Sequence, residues 1–117
     1  MTLSVIIPIF NEVNTLKTIV ERVLETGLAD EILLVDDGST DGTRAILAEL
    51  DGKNGVRVIL HERNQGKGAA VRSGLTAARG DVLLIQDADL EYDPKDYPAL
   101  LKPLLFQKLG EYHTSRN

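Results

Sequence analysis

Three carboxylates stand at alternate positions in one short stretch, Asp87-Ala88-Asp89-Leu90-Glu91. In an extended chain, residues two apart point to the same side, so Asp87, Asp89 and Glu91 can converge on one point. Converging carboxylates repel one another unless a cation sits among them, and their oxygens suit Mg²⁺ or Mn²⁺. An ion held by so few protein groups keeps positions open for the oxygens of a substrate phosphate. An acidic turn after a strand would show the same residue types without any metal. A second acidic stretch, Asp36-Asp37-Gly38-Ser39-Thr40-Asp41-Gly42, is dense in turn formers and reads as a strand-to-helix turn with Asp41 as N-cap. An ionised Asp37 at a strand end can in addition accept hydrogen bonds from a nucleobase imide or a ribose hydroxyl. The third stretch, Asn64-Gln65-Gly66-Lys67-Gly68-Ala69-Ala70, sets two glycines and a lysine at the mouth of a helix rich in small residues. Backbone amides and a positive charge can face an anion there, although a glycine-opened helix packed closely on a sheet needs the same residues.

The elements that must position these groups follow from the hydrophobic pattern. Residues 3–9 form an apolar run on both faces, as a buried strand does, and Leu16, Ile19, Val20, Val23 and Leu24 then repeat with helical spacing up to Gly27, a C′ residue. Residues 32–35 are a second buried strand, and Ile46, Leu47 and Leu50 mark a short helix closed near Gly52. Residues 56–60 are a third strand and 61–68 a loop, after which Ala70, Val71, Leu75 and Ala78 give a small-residue helix face before Gly80. Residues 82–85 are a fourth strand, and Pro94 opens a last helix carrying Tyr97, Leu100, Leu101, Leu104 and Leu105 on one side. Strands alternating with helices predict an α/β fold, a mostly parallel sheet with helices on both faces. In such sheets ligands bind outside the carboxyl ends of the strands, and every unusual cluster falls at such an end.

Composition narrows the rest. A chain of 117 residues, 43% hydrophobic and 26% charged, has the balance of one soluble globular domain. A net charge of −5 gives no general attraction to nucleic acid or anionic lipid, so an anionic ligand must be held by local devices. The absence of cysteine excludes disulfides, thiolate metal sites and a Cys nucleophile. The apolar run at residues 5–10 is far shorter than the roughly 20 residues of a membrane span, and Met1-Thr2 supplies no basic leader, so neither a transmembrane segment nor a signal peptide is expected. His61 and His113 have no metal-ligand partner at suitable spacing, and Ser39 has no visible His to activate it. His61 also occupies the first glycine position of a P-loop pattern, and no G-x-G-x-x-G follows the first strand, which disfavours both common phosphate-binding motifs.

Taken together, SVIIPIFNE, ILLVDDGSTDGT, RNQGKGAAVRSG and GDVLLIQDADLEYDP resemble the family 2 glycosyltransferases in order and relative placement. The wording GKGAAVRSG and DADLEYDP resembles the branch that transfers sugars to polyprenyl or dolichyl phosphate. The resemblance implies a GT-A (Rossmann-like) fold whose donor-binding half takes a UDP- or GDP-linked sugar together with Mg²⁺ or Mn²⁺. It further implies that Pro8, Phe10 and Glu12 line the nucleoside pocket, that Asp37 contacts the base, and that Lys67 lies near the donor. Asp87 would then address the ribose or sugar, Ala88 would be a further donor-binding residue, Asp89 and Glu91 would hold the metal, and Asp87 and Asp89 would be the catalytic pair. A cytoplasmic location, with transient contact to a lipid-phosphate acceptor at the inner face of a membrane, is implied as well.

The resemblance covers residues 1–105 as a nucleotide-sugar-binding domain, and residues 106–117 are off its pattern and read as a frayed tail. Family members continue further, so the chain reads as a truncated form with uncovered strand edges, from which a homodimer or a marginal monomer is expected. Two other classes compete: a nucleotide-sugar-binding module without turnover, and a receiver-like signalling domain. The latter carries its acidic pair after the first strand, whereas Asp36-Asp37 follows the second.

Overall fold

The computed structural model describes residues 2–88 and Pro94. The elements run β1 (Leu3–Ile9), α1 (Leu16–Glu25), β2 (Glu31–Asp36), α2 (Thr43–Leu50), β3 (Val56–Leu60), α3 (Lys67–Ala77) and β4 (Val82–Ile85). All four strands are parallel in the order β3-β2-β1-β4, which is the Rossmann-like α/β architecture expected. The inner strands are apolar on both faces because both faces are covered: all seven residues of β1 are buried. On one face Val5, Ile7, Ile9, Ile32 and Leu34 pack with Leu16, Ile19 and Val23 of α1 and Leu47 of α2. On the other, Ile6, Leu33 and Val35 meet Ala70 of α3.

α3 lies close to the sheet because its packed face is small. A Cβ added at Gly74 would sit 2.4 Å from Cγ2 of Ile6, so only glycine allows this separation. The expected face of Ala70, Val71, Leu75 and Ala78 needs correction, since Leu75 is 40% exposed and Gly74 takes its place against the sheet. α3 also begins at Lys67, inside the segment read as a loop to Gly68. Gly42, with φ of 99°, is the N-cap of α2 in place of Asp41. The Asp41 carboxylate nevertheless accepts the amide of Thr43 at 3.0 Å, so the acidic side chain still satisfies the helix start from one position further out. The last helix expected after Pro94, the metal candidates Asp89 and Glu91, and residues 106–117 lie outside the described residues; Pro94 itself is buried.

The strand order reverses between β1 and β4, and this reversal opens a crevice at the carboxyl ends of the strands. Pro8 helps to open it. The carbonyl of Ile9 accepts from Asp37 N on the β2 side, and that of Ile6 accepts from Gln86 N on the β4 side, so alternate residues of β1 serve alternate neighbours. Pro8 therefore belongs to the β4 side, where a missing N–H ends the ladder after the Ile6–Ile85 pair.

Candidate functional site

A cleft of about 360 Å³ occupies this crevice, within the range of small-molecule sites. Pro8, Phe10 and Glu12 come to it from the end of β1, Asp37 from the end of β2, Lys67 from the first turn of α3, and Asp87 and Ala88 from beyond β4. The fold thus brings to one wall-lined space every described residue that the resemblance assigned to the donor. Nζ of Lys67 pairs with Oδ1 of Asp87 at 2.5 Å, joining α3 to the end of β4 across the cleft. Glu12, Asp37 and Asp87 give the lining more carboxylate than ammonium.

The turn that presents Phe10 and Glu12 is buttressed by the acidic turn after β2. Asn11, in the left-handed region at φ 53°, donates its amide to Oγ of Ser39 at 2.9 Å and accepts the Thr40 amide on Oδ1 at 2.8 Å. Glu12 N donates to Oγ1 of the buried Thr43 at 3.1 Å, and Val13 N donates to Asp41. Asp36 is fully buried and accepts from Ser39 and from Nε of Arg44 at 2.9 Å, while the Arg44 guanidinium also donates to the His61 carbonyl. Most of the acidic turn is therefore framework, and Asp37 is its cleft-lining member. Gly38, at φ 84°, lets the two loops touch: a Cβ there would lie 2.7 Å from the amide nitrogen of Asn64.

Asp37 is 3% exposed, and its Oδ1 accepts from Gln65 N at 2.8 Å and from Nδ1 of His61 at 2.9 Å. Oδ2 accepts from Gly66 N at 2.9 Å. Burial by itself would raise its pKa, but the hydrogen bonds from Gln65, His61 and Gly66 more than offset that and hold the carboxyl below its ordinary value. Nε2 of His61 lies 2.8 Å from Oγ of Ser73. These are the spacings of a nucleophilic triad, but Ser73 does not line the cleft, and it is the part-buried end of this hydrogen-bonded chain.

His61 and Ser73 were not legible as partners of Asp37. The signal that could have found His61 is the β2–β3 register: Asp36 pairs with Leu60, so the next residue of each strand, Asp37 and His61, must be neighbours. Among the described residues no group of three or more His, Cys, Asp or Glu is placed to hold a metal, and Asp89 and Glu91 are outside them.

A parallel Rossmann-like sheet with a cleft at its strand-order reversal is the setting of nucleotide-binding α/β enzymes. The chain belongs to glycosyl transferase family 2, whose sequence profile it matches over residues 4–110. It is 38% identical over 110 residues to dodecaprenyl-phosphate galacturonate synthase of Rhizobium johnstonii, covering 89% of this chain and 32% of that protein. Over 106 residues it is 43% identical to undecaprenyl-phosphate 4-deoxy-4-formamido-L-arabinose transferase of Pseudomonas aeruginosa, covering 85% of this chain and 31% of the relative. The structure of glucosyl-3-phosphoglycerate synthase from Mycobacterium tuberculosis with Mn²⁺, UDP and glucosyl-3-phosphoglycerate superposes with a TM-score of 0.73 at 32% identity, over 89% of this chain and 39% of that one. The chain spans about a third of the length of the curated relatives it matches. No described helix is long and apolar enough to cross a membrane.

Proposed function

We propose that this chain binds a nucleoside-diphosphate sugar and a divalent cation in the β1/β4 cleft and serves transfer of the sugar to a polyprenyl phosphate. The observation that carries the reading is the convergence of Pro8, Phe10, Glu12, Asp37, Lys67, Asp87 and Ala88 on that single cleft. The two polyprenyl-phosphate relatives support the acceptor class, and the Mn²⁺ and UDP of the mycobacterial synthase support the donor and metal.

The donor set fits a hard cation. It consists of carboxylate oxygens, and a diphosphate entering a cleft with more carboxylate than ammonium needs added positive charge. Asp89 and Glu91 are the proposed ligands. When bound, the ion would neutralise charge that builds on the departing nucleoside diphosphate, a stabilisation that grows toward the transition state. Phe10, 45% exposed at the cleft, offers apolar surface to the base, and Asp37 accepts from the base or ribose. Lys67, on the first turn of α3, supplies an ammonium for the diphosphate, while Asp87 addresses the ribose or sugar. A polyprenyl phosphate is already an anionic nucleophile and needs no general base, only positioning. A cytoplasmic site of action at the inner face of a membrane fits this acceptor.

The test is calorimetric titration of UDP, GDP, UDP-glucose and GDP-mannose with and without Mn²⁺, on the wild type and on Asp89→Ala. Metal-dependent binding that is lost in Asp89→Ala, followed by transfer to a polyprenyl phosphate, is the expected result. Folded wild-type protein that binds none of the four sinks the reading, and binding without transfer reduces the chain to a nucleotide-sugar-binding module.

A further inference from the structure

His61, buried, and Ser73, part-buried, form a relay behind the cleft, and the relay ends on Asp37, a carboxylate that lines it. His61 is only 8% exposed, and both ring nitrogens have partners: Nδ1 on Asp37 Oδ1 at 2.9 Å and Nε2 on Ser73 Oγ at 2.8 Å. Asp37, ionised, can only accept, so Nδ1 carries the proton that it donates. A carboxylate has about four acceptor positions. Gln65 N and His61 fill those on Oδ1, and Gly66 N takes one on Oδ2, which leaves a single position on Oδ2 for a ligand.

The two amides alone would tie the 65–66 segment to Asp37, one to each oxygen. The imidazole adds no bond to that segment; it holds the same carboxylate from the β3 side, through a second bond to Oδ1. Ser73 in turn fixes the imidazole from α3, the helix whose first turn carries Lys67. We infer that His61, held by Ser73, is a positioning residue that aims the remaining acceptor of Asp37 at the nucleobase or ribose and so sets which nucleotide the cleft prefers. The inference rests on the donor-site reading above and deepens it. Neither residue lines the cleft.

The readout is selectivity, measured as the ratio of dissociation constants across UDP, GDP, CDP and ADP with Mn²⁺, on protein whose fold is checked by circular dichroism. His61→Gln keeps a polar atom near Ser73 but has no donor in the Nδ1 position, whereas His61→Asn keeps a donor there. His61→Gln is expected to shrink the preference for the favoured nucleotide at least about 3-fold, Ser73→Ala to shrink it less, and His61→Asn and Ser73→Thr to retain it. An equal loss for all four nucleotides would mean a structural role only and overturns the inference, as does unchanged selectivity in both His61→Gln and Ser73→Ala. If His61→Gln does not fold, Ser73→Ala against Ser73→Thr decides by the same ratio. Wild-type protein that binds no nucleotide is a different failure, that of the donor-site reading itself, and the relay falls with it.

Discussion

At the scale of single residues, acid sensitivity lies in carboxylates held by hydrogen-bond donors, Asp37, Glu31 and Asp41. Asp37 is desolvated, which alone would raise its pKa, yet Gln65, His61 and Gly66 hold it low. Glu31 is similar: burial opposes ionisation, and hydrogen bonds from Ser4, the Arg79 amide and Arg57 more than offset it. A carboxyl whose folded pKa lies below its unfolded value contributes stability that is fully present above the unfolded value and is lost as pH falls through the folded one. The unfolded values are about 3.9 for Asp and about 4.3 for Glu. Urea unfolding at a series of pH values is therefore expected to show stability level near neutrality and falling below about pH 4. Asp37→Asn should flatten that acid limb and cost about 1–3 kcal/mol at neutral pH, because the NH2 that replaces one oxygen cannot accept and leaves one of the Gln65 and Gly66 amides without its acceptor. An acid limb as steep in Asp37→Asn as in the wild type would assign the loss to other carboxylates.

At the scale of elements, the approach of α3 to β1 decides where Lys67 and the 65–66 amides stand. Gly74 faces Ile6, whose Cγ2, Cγ1 and Cβ would all lie within 3.4 Å of an added Cβ. Ile6 is fully buried and β-branched, so it has little rotamer freedom to yield. Alanine would gain about 1 kcal/mol in helix propensity but overpack by about 1–3 kcal/mol, so Gly74→Ala is expected to be neutral at best and most often destabilising. The sharper check is a double-mutant cycle by thermal unfolding: Ile6→Ala opens the space that the methyl introduced by Gly74→Ala needs, so the pair should cost less than the sum of the single changes. Strict additivity would show that the two positions do not press on each other. Reading Leu75 as packed failed for a related reason. Hydrophobicity marks leucine as the anchor of a helix face, but at this distance from the sheet only glycine and alanine fit.

At the scale of the whole molecule, the outer strands differ from the inner ones. β4 pairs with β1 alone among the described residues, and its Leu83 and Ile85 are 43% and 47% exposed. Among the described residues this edge has no second neighbour, and an apolar edge of that kind favours pairing with another chain. Sedimentation velocity over a range of concentrations is expected to show a dimer, and Ile85→Lys to shift the equilibrium to monomer. A single monomer boundary at every concentration would count against this.

Much of the molecule was legible in the chain itself, because the information was local. Apolar runs on both faces set β1 and β2 as interior strands, helical spacing set α1, and Gly27 and Gly52, both at positive φ, mark where α1 and α2 end. The residues of the cleft were legible too, since α/β sheets place ligands at strand ends and the clusters lay there. Only the tertiary structure decided which members of each cluster reach the cleft. Asp36 and Asp37 are adjacent and chemically identical, yet one is buried framework and the other lines the cleft, because successive residues at a strand end point to opposite sides. The Asp37–His61–Ser73 chain likewise spans three elements and has no spacing of its own. Its members meet through a strand register and a helix crossover, which are set by packing and not by any local pattern.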